Sequence, residues 1–306
     1  MKFNKTIWLA AATMFIVGAS CTNVGFKKTK SGLEYKVFEG DKKGPALKPG
    51  DIVKFDYKIT YKDSVVATSY GIVPGYDLVD SVGRPHEFSE VLKFLKVGDS
   101  LVTIQLFDSL QSINPMQVPT FMKKGDKLKT TIKVIGVFKG RDSVMADYQK
   151  EIDNYRAREL AVIKKYLDKN NIKAELMNGV YVEVKEKGTG VPTVPGKEVS
   201  VNYTGYNFEG KFFDSNVDST KQTLPHELAP YAFLAGQQGA IQGMLQGVLA
   251  FNKGGKGRLF IPSVMAYGPQ GSPPAIKPNE NLIFDIEIVE VKDPVMQAPQ
   301  QMPGQQ

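Results

Sequence analysis

A carboxylate, Asp214, follows two phenylalanines near the end of residues 199–216, VSVNYTGYNFEGKFFDSN. A carboxylate is costly to place beside large apolar side chains unless something in the site uses it. Its chemistry there would be that of a fixed negative charge at the edge of an apolar surface. The alternative is that Asp214 only caps a turn and orders the loop that follows.

The chain lacks the residues that several other common kinds of active or binding site require. The chain has one cysteine and two histidines, so we expect neither a metal nor a cofactor. We find no nucleophile–histidine arrangement typical of hydrolases and no nucleotide-binding motif. The formal net charge of +7 is spread along the chain without a basic block, so we expect no nucleic-acid partner.

The first 21 residues, MKFNKTIWLAAATMFIVGASC, have the layout of an export signal. Its apolar run is too short for a permanent membrane-spanning helix. The layout resembles a bacterial lipoprotein signal, which implies that residues 1–20 are removed and that Cys21 is lipid-modified; a plain secretory signal is the alternative. We therefore expect a lipid-anchored protein of the bacterial cell envelope, at the periplasmic face of the outer membrane, with residues 21–30 as its tether.

The rest of the chain contains an internal repeat. Gly32 corresponds to Gly179, Tyr57 to Tyr203, and VLKFLKVGDSLVTI in the first half to VLAFNKGGKGRLFI in the second. Both copies alternate apolar and polar residues like half-buried strands, and each has one short helical segment, which is GAIQGMLQGVLAF in the second copy. The pattern predicts an α+β fold of two domains, 31–140 and 172–293, each an antiparallel sheet wrapped on a short helix.

A long helix is predicted between the two copies, at residues 141–171. Its apolar stripe consists of Met145, Tyr148, Ile152 and Tyr155. This stripe fits either packing on the protein's own domains or the seam of a homodimer through residues 143–170. The last residues, 294–306, are rich in proline and glutamine and are predicted to be disordered.

The second copy resembles the FKBP-type (macrolide-binding) peptidyl-prolyl cis-trans isomerases. The resemblance covers about 115 residues and is based on VNYTG, GKFFDS, GAIQGMLQGV, GRLFIPSVMAYGPQG and NLIFDIEIVEV, which occur in this order. It implies catalytic roles for Asp214, Tyr267 and Phe213. It implies that the substrate is bound by Tyr203, Tyr231, Ala240, Ile241, Met244, Ile276 and Phe284.

The resemblance further implies an isomerase for X–Pro peptide bonds that assists the folding of exported or envelope proteins. Its partners would be folding polypeptides with X–Pro bonds and a macrolide ligand. The alternative is a non-catalytic holdase chaperone or polypeptide-binding module. A site used only to grip apolar segments would not need Asp214 and Tyr267 together with the aromatic set.

The second copy departs from the family pattern in three ways. Met244 stands where a tryptophan is frequent, and Ser272 and Ala275 stand where larger residues are common. No arginine follows Asp214 before Tyr231, a segment in which Lys221 is the one lysine. The charged partner of Asp214 is therefore left open by the sequence.

The first copy lacks the residues that the resemblance makes functional. Its Ala67, Thr68 and Ser69 align with Phe213, Asp214 and Ser215, and Thr130 replaces Phe284. The segment IQLFDSLQ replaces IPSVMAYG, so the tyrosine–glycine loop is missing. We therefore expect the first copy to keep the fold without the isomerase chemistry, either as a polypeptide-binding module or as a spacer.

Overall fold

The computed structural model describes residues 25–40, 43–113 and 122–294. The predicted signal peptide, Cys21 and residues 295–306 lie outside the described residues, so their roles stay predictions. The chain forms two compact units that divide at residues 68/69, 74/75 and 139/140; the short segment 69–74 belongs to the second unit. Among the described residues, no helix has the length and apolar character needed to cross a membrane.

The first unit is a seven-stranded antiparallel sheet with two short helices. Its elements are β1 (Lys27–Lys28), β2 (Glu34–Phe38), β3 (Ile52–Tyr61), β4 (Ser64–Thr68), β5 (Gly75–Leu78), α1 (Ser89–Leu92), β6 (Ser100–Leu106), α2 (Phe107–Ile113) and β7 (Lys127–Phe138). The strand order is β1-β2-β6-β7-β3-β4, and β5 also pairs with β3. Strand β1 lies within the predicted tether at 21–30.

The second unit begins with a long helix and contains the second seven-stranded antiparallel sheet. Its elements are α3 (Arg141–Lys169), β8 (Glu175–Met177), β9 (Val180–Glu186), β10 (Glu198–Asn207), β11 (Phe212–Ser215), β12 (Tyr231–Leu234), α4 (Gln242–Gly247), β13 (Lys256–Ile261) and β14 (Leu282–Lys292). Three 3₁₀ turns connect these elements, at Ser219–Lys221, Val248–Ala250 and Ser263–Met265.

The two sheets have the same strand order, which confirms the predicted repeat. The second order is β11-β10-β14-β13-β9-β8, with β12 also pairing with β10, so each strand has a counterpart in the first unit. The corresponding strands β3 and β10 even share a register shift at the same place, between Lys54 and Phe55 in β3 and between Ser200 and Val201 in β10. The predicted α+β class, with a long helix between two sheets, is confirmed.

One face of the second sheet packs on α4, as the apolar spacing of that segment predicts. Met244 and Leu245 of α4, and Val248 just after it, are buried in the same cluster as Val201 of β10 and Leu259 of β13. The helix is short because the 3₁₀ turn Val248–Ala250 follows it directly. This packing fixes the start of α4 at one end of the sheet, where the candidate site lies.

The other face of the second sheet is covered by α3. Ile163 and Leu167 of α3 form a buried cluster with Phe260 of β13 and Ile283 of β14. The helix ends at Lys169 with Asn170 as its C-cap, two residues before the predicted end at residue 171.

The buried residues of α3 lie on the predicted face of the helix but further along it. The buried residues follow a four-residue step, Tyr155, Glu159, Ile163 and Leu167. Met145 and Tyr148 of the predicted stripe are exposed. At 3.6 residues per turn Met145 and Ile163 point in the same direction, so the predicted face is the buried one. Met145 and Tyr148 lie in the N-terminal part of the helix, before the stretch that begins at Tyr155 and packs on the protein. The homodimer alternative stays a prediction.

Candidate active site

An open pocket of ≈ 400 Å³ lies in the second unit, between the start of α4 and the strands β10, β11 and β14. The structure brings all ten sequence-predicted site residues into its lining, while their roles stay predictions. Those residues are Tyr203, Phe213, Asp214, Tyr231, Ala240, Ile241, Met244, Tyr267, Ile276 and Phe284. The remaining lining residues are Thr223, Leu224, His226, Ser272 and Ala275.

Aromatic rings on three adjacent strands form the wall of the pocket. The ring centroids of Phe213 and Phe284 are 5.5 Å apart at an interplanar angle of 77°, and those of Tyr203 and Phe284 are 6.0 Å apart at 61°. Such edge-to-face packing is the arrangement that aromatic pairs prefer. Gly205 makes room for it, since a Cβ there would come within 2.5 Å of the Phe213 ring.

The floor of the pocket is apolar and formed by buried side chains. Met244 of α4 is 4% exposed and Ile276 of the loop after β13 is 3% exposed. The loop holds Ile276 in place through a small bridge, in which Ser272 and Ile276 exchange two backbone hydrogen bonds of 2.9 Å. A flexible thioether at Met244 fills the floor where the family pattern often has a larger ring.

The carboxylate of Asp214 is held at the rim of the pocket by donors from three residues. The Tyr203 hydroxyl donates to Oδ2 at 2.6 Å, and the Ser215 N–H donates to Oδ1 at 2.9 Å. The Nε2 atom of His226 lies 2.8 Å from Oδ1. The Asp214 side chain is about one-third exposed, so it faces both the pocket and solvent.

The segment between β11 and β12 brings His226 to Asp214. Asn216, which is buried, anchors this segment: its side chain donates to the carbonyls of Val201 and Ala229 at 2.9 Å and accepts from the Tyr203 N–H at 2.6 Å. The Gln222 side chain donates to the Ser215 carbonyl at 2.7 Å and accepts from the His226 N–H at 3.2 Å. These tertiary bonds fold the segment back over Asp214.

Sequence reasoning missed three lining residues of this segment, Thr223, Leu224 and His226, and His226 is the one that contacts Asp214. Lys221, the one lysine of the segment, pairs instead with Asp218 at 3.2 Å. The available signal was that His226 is the other residue between Asp214 and Tyr231 able to carry a positive charge. The hydrogen bond from His226 to Asp214, and then its bond to the Glu227 carbonyl, raise the pKa of His226 above 6.5.

Two donors at the mouth of the pocket are available to a ligand. The Tyr267 hydroxyl makes no hydrogen bond with any residue that the structure describes, and burial together with the charge of Asp214 raises its pKa. Ile241 is the N-cap residue of α4, and within the described ranges its backbone N–H has no acceptor. Both groups can donate to a carbonyl oxygen placed in the pocket.

The first unit has a smaller pocket of ≈ 310 Å³ on the corresponding strands. Its lining includes Phe55, Tyr57, Phe88 and Ile132. A carboxylate, Glu87, also lines it, but Glu87 pairs with Arg84 and lies just before α1, not on the strand that corresponds to β11.

Strand pairing corrects the predicted alignment of this region by one residue. Ala67 lies opposite Ile59, as Asp214 lies opposite Gly205, so Ala67 and not Thr68 takes the place of Asp214. The hairpins β3–β4 and β10–β11 differ in loop length, which shifts the sequence comparison.

No group of three or more histidine, cysteine, aspartate or glutamate side chains that could hold a metal ion occurs in the described parts of the chain.

Comparisons with known proteins agree with these features. The sequence model of a family described as FKBP-type peptidyl-prolyl cis-trans isomerase matches residues 191–289. The FK506-binding protein of Neisseria meningitidis serogroup B is 36% identical over 115 residues, which cover 38% of this chain and 98% of that protein. FK506-binding protein 4 of Dictyostelium discoideum is 37% identical over 131 residues, which cover 43% of this chain and 33% of that protein.

The FKBP-type peptidyl-prolyl cis-trans isomerase FkpA of Escherichia coli is 32% identical over 152 residues, which cover 50% of this chain and 52% of that protein. A crystal structure of FkpA covers 50% of this chain and 70% of that chain, at 30% identity and a TM-score of 0.37. The chain spans only about a third of the length of the Dictyostelium relative, and the family match lies within the second unit.

Proposed function

The chain belongs to the family of FKBP-type peptidyl-prolyl cis-trans isomerases, and from this premise we propose that its second unit isomerises X–Pro peptide bonds in folding polypeptides. The observation that supports this most directly is the open aromatic pocket of ≈ 400 Å³ with Asp214 at its rim. The pocket is not filled by the protein's own side chains, and the carboxylate is part of its lining.

Isomerisation requires rotation about an amide bond whose barrier is about 18–20 kcal/mol. No covalent bond is made and no proton has to move, so the site must bind the twisted amide more tightly than the planar one. The planar amide is the more polar form. A dry apolar pocket therefore disfavours the ground state relative to the transition state.

The proline ring would bind against the aromatic wall and the floor. Phe213, Met244, Ile276 and Phe284 are all at most 6% exposed and present carbon atoms to the cavity. Removing proline from water between these side chains supplies binding energy without requiring hydrogen bonds. Tyr203, Tyr231 and Ala240 complete the walls around the ring.

The polar groups at the mouth would act on the substrate carbonyl. The Tyr267 hydroxyl and the Ile241 N–H would donate to carbonyl oxygens of the substrate, which fixes the chain on either side of the rotating bond. Asp214 would supply a fixed negative charge beside the carbonyl group as it turns out of the amide plane. The proposed catalytic residues are therefore Asp214 and Tyr267, together with Phe213 of the aromatic wall.

The first unit would bind apolar polypeptide segments without isomerising them. Its pocket keeps the aromatic residues Phe55, Tyr57 and Phe88 but has Ala67 in the place of Asp214. A holdase function for the whole chain is the competing proposal. The smaller pocket favours a holdase function for the first unit alone. A protein that only holds apolar segments would not need the Asp214 carboxylate and the free Tyr267 hydroxyl of the second unit.

The proposal also covers the cellular location of the protein, a macrolide ligand and a homodimer. A lipid on Cys21 would attach the protein to the periplasmic face of the outer membrane, where exported polypeptides fold. A macrolide would compete with proline for the same pocket, with an affinity altered by Met244, Ser272 and Ala275. Residues 143–170 would form the homodimer seam through the exposed Met145 and Tyr148.

The test is protease-free measurement of cis–trans exchange in a short proline peptide with the full chain. We expect a rate enhancement by the folded protein. Suppression of aggregation of a proline-free client, measured in parallel, reports the holdase function separately. A folded chain that suppresses aggregation but does not accelerate exchange would reject the isomerase proposal.

A further inference from the structure

We propose that His226 is a positioning residue for the isomerisation: as an imidazolium it fixes Asp214 at the pocket rim, and turnover falls when His226 loses its proton. This inference rests on the proposed function of the second unit. It concerns a residue that the family motifs do not include and that reaches the site through the segment between β11 and β12.

Both ring nitrogens of His226 face hydrogen-bond acceptors. Nε2 lies 2.8 Å from Oδ1 of Asp214, and Nδ1 lies 2.9 Å from the backbone carbonyl of Glu227. A neutral imidazole carries one N–H and can donate only one of these two bonds. The imidazolium donates both, so the observed geometry selects the charged form.

Hydrogen bonds from Gln222 and Thr223 hold the backbone around His226, which keeps its ring next to Asp214. Gln222 bonds to the Ser215 carbonyl, to the His226 N–H and, at 3.3 Å, to the His226 carbonyl, which ties the segment to β11 next to Asp214. The Gln222 Nε2 atom also lies 3.3 Å from the ring Nε2, a longer contact than the ring makes to Asp214. The Thr223 N–H donates to the Phe213 carbonyl at 3.0 Å.

Asp214 is the acidic group that faces the ring. The other titratable groups of the pocket are Tyr203 on β10, Tyr231 on β12 and Tyr267 after β13. Burial raises the pKa of Tyr203 and of Tyr267 above 10.0, so these two stay neutral while His226 titrates. Glu227 meets the ring with its backbone carbonyl.

Lys221, the cation on the neighbouring turn, pairs with Asp218 at 3.2 Å and lies 4.9 Å over the Phe212 ring. The positive charge at Asp214 therefore depends on His226 alone among the residues of this segment that the structure describes.

The sign of the pH effect follows from the direction of the pKa shift. The pKa of His226 is raised above 6.5 by Asp214 first and the Glu227 carbonyl second. Both bonds are therefore present when the pH is well below 6.5, and one of them is lost together with the positive charge as the pH rises through the raised value. Their contribution to the stability of the folded state is lost over the same range.

Loss of the proton should weaken the site without abolishing it. Asp214 would keep its bonds from Tyr203 and Ser215, but one charge-assisted bond and the cation would be gone. A hydrogen bond to a charged group is worth enough to change turnover by about tenfold. The carboxylate would then sample more orientations, which weakens a preorganised electrostatic site.

The experiment measures protease-free exchange of a proline peptide by the full chain over roughly pH 5.5 to 9. We expect wild-type kcat/KM to fall about tenfold from the acid to the alkaline end. His226→Gln should be slow at every pH, because it lacks a charge. His226→Arg should stay fast at every pH, because arginine remains charged and can reach a carboxylate.

His86→Asn is the matched control. His86 belongs to the first unit and has a positive φ of 60°, a conformation that asparagine tolerates. This variant should keep the wild-type pH profile. It also leaves His226 as the only histidine, so that one imidazole resonance can be followed by NMR. That resonance should titrate above the ordinary value and return toward 6.5 when Asp214→Asn is added.

The ways in which the inference can fail are distinguishable. Three results would each overturn this inference and leave the proposed function standing. The first is an active wild type whose turnover does not change with pH. The others are a His226→Arg variant whose turnover depends on pH as in the wild type, and a His226→Gln variant that is as fast as the wild type at the acid end. A folded wild type that is inactive at every pH would overturn the proposed function as well. A His226 resonance that titrates no higher than 6.5 would contradict the geometry on which the inference is built.

Discussion

At the level of single residues, the two carboxylate oxygens of Asp214 have different surroundings. Oδ2 accepts from the Tyr203 hydroxyl at 2.6 Å, while Oδ1 is shared by the Ser215 N–H and His226. An oxygen that has donors on two sides cannot rotate without breaking one of these bonds. The charge of Asp214 is therefore fixed before a substrate arrives, which is what electrostatic preorganisation requires.

The Tyr267 hydroxyl tests whether a free donor at the mouth contributes to turnover. We expect Tyr267→Phe to lower kcat/KM by about tenfold, since the substrate carbonyl loses a donor and the ring keeps its packing. The measurement is peptide exchange at saturating and subsaturating substrate. Tyr181→Phe is the control, because Tyr181 lies on the face covered by α3 and is absent from the pocket lining. An equal effect of both variants would remove Tyr267 from the mechanism.

The composition of the pocket could be predicted from the sequence, but its charge pairing could not. The ten predicted residues occupy strands, a helix start and a loop whose order along the chain is a family signature. His226 reaches Asp214 through bonds made by Asn216 and Gln222 to distant backbone groups. A local sequence pattern does not encode such tertiary bonds, so the partner of Asp214 stayed open.

At the level of elements, Gly205 of β10 shows how a strand shapes the pocket wall. Its missing side chain leaves the space in which the rings of Phe213 and Phe284 meet. The corresponding position of β3 is Ile59, which is paired with Ala67 as Gly205 is paired with Asp214. The first unit thus has a branched aliphatic side chain in its pocket lining at the position where the second unit leaves room for two rings.

Gly205→Ala should damage the site through this contact. The added Cβ would approach the Phe213 ring to 2.5 Å and the Phe284 ring to 3.0 Å, so the rings must move. We expect an unfolding free energy lower by about 1–3 kcal/mol and a clear loss of turnover. Gly25→Ala is the control, since a Cβ at Gly25 would have no neighbouring atom within 4 Å and no effect is expected there. Turnover that stays at the wild-type level would show that the wall geometry is unimportant.

Helix α3 is part of the second unit's structure and not a free connector. Ile163 is fully buried against Phe260 and Ile283, whereas the adjacent Val162 is 57% exposed. Ile163→Ala should lower the unfolding free energy by about 2–5 kcal/mol, and Val162→Ala should change it little. Denaturant unfolding followed by helical circular dichroism measures both. Equal stability of the two variants would mean that α3 does not pack on this sheet in solution.

Which part of α3 is buried was beyond sequence reasoning for a related cause. Met145, Tyr148, Ile163 and Leu167 all lie on one face of the helix, because residues 145 and 163 are about five turns apart. The sheet selects Ile163 and Leu167 because the outward-facing Phe260 and Ile283 offer them an apolar surface. The existence of the helix and its apolar face followed from local rules, while the stretch that packs on the sheet did not.

At the level of the whole molecule, the same strand order occurs twice with two different pockets. The repeat was visible in sequence because glycines and strand residues at turns and edges recur at the same spacing in both copies. The two units share their strand order, but their pockets differ in the side chains at equivalent positions, as at Ala67 and Asp214. One unit therefore carries the residues of the proposed chemistry, and the other has a pocket with Ala67 in the place of Asp214.

Substitution of two equivalent tyrosines tests which of the two units is responsible for peptide exchange. Tyr57 is paired with Ile132 as Tyr203 is paired with Ile286, so both occupy the same place in their sheets. We expect Tyr203→Ala to lower peptide exchange by about tenfold or more, because the Asp214 bond and part of the wall are lost. Tyr57→Ala should leave the rate within about twofold. A large loss in the Tyr57 variant, with the fold intact, would assign activity to the first unit too.

The most direct test of the account is peptide exchange by two variants of the full chain, Asp214→Ala and Phe284→Ala. Asp214→Ala removes the charge at the rim, and Phe284→Ala removes a ring from the wall. The account predicts a loss of tenfold or more in kcat/KM for each, which corresponds to about 1.4 kcal/mol of transition-state stabilisation. Unchanged turnover in both folded variants would contradict it and move the active site elsewhere.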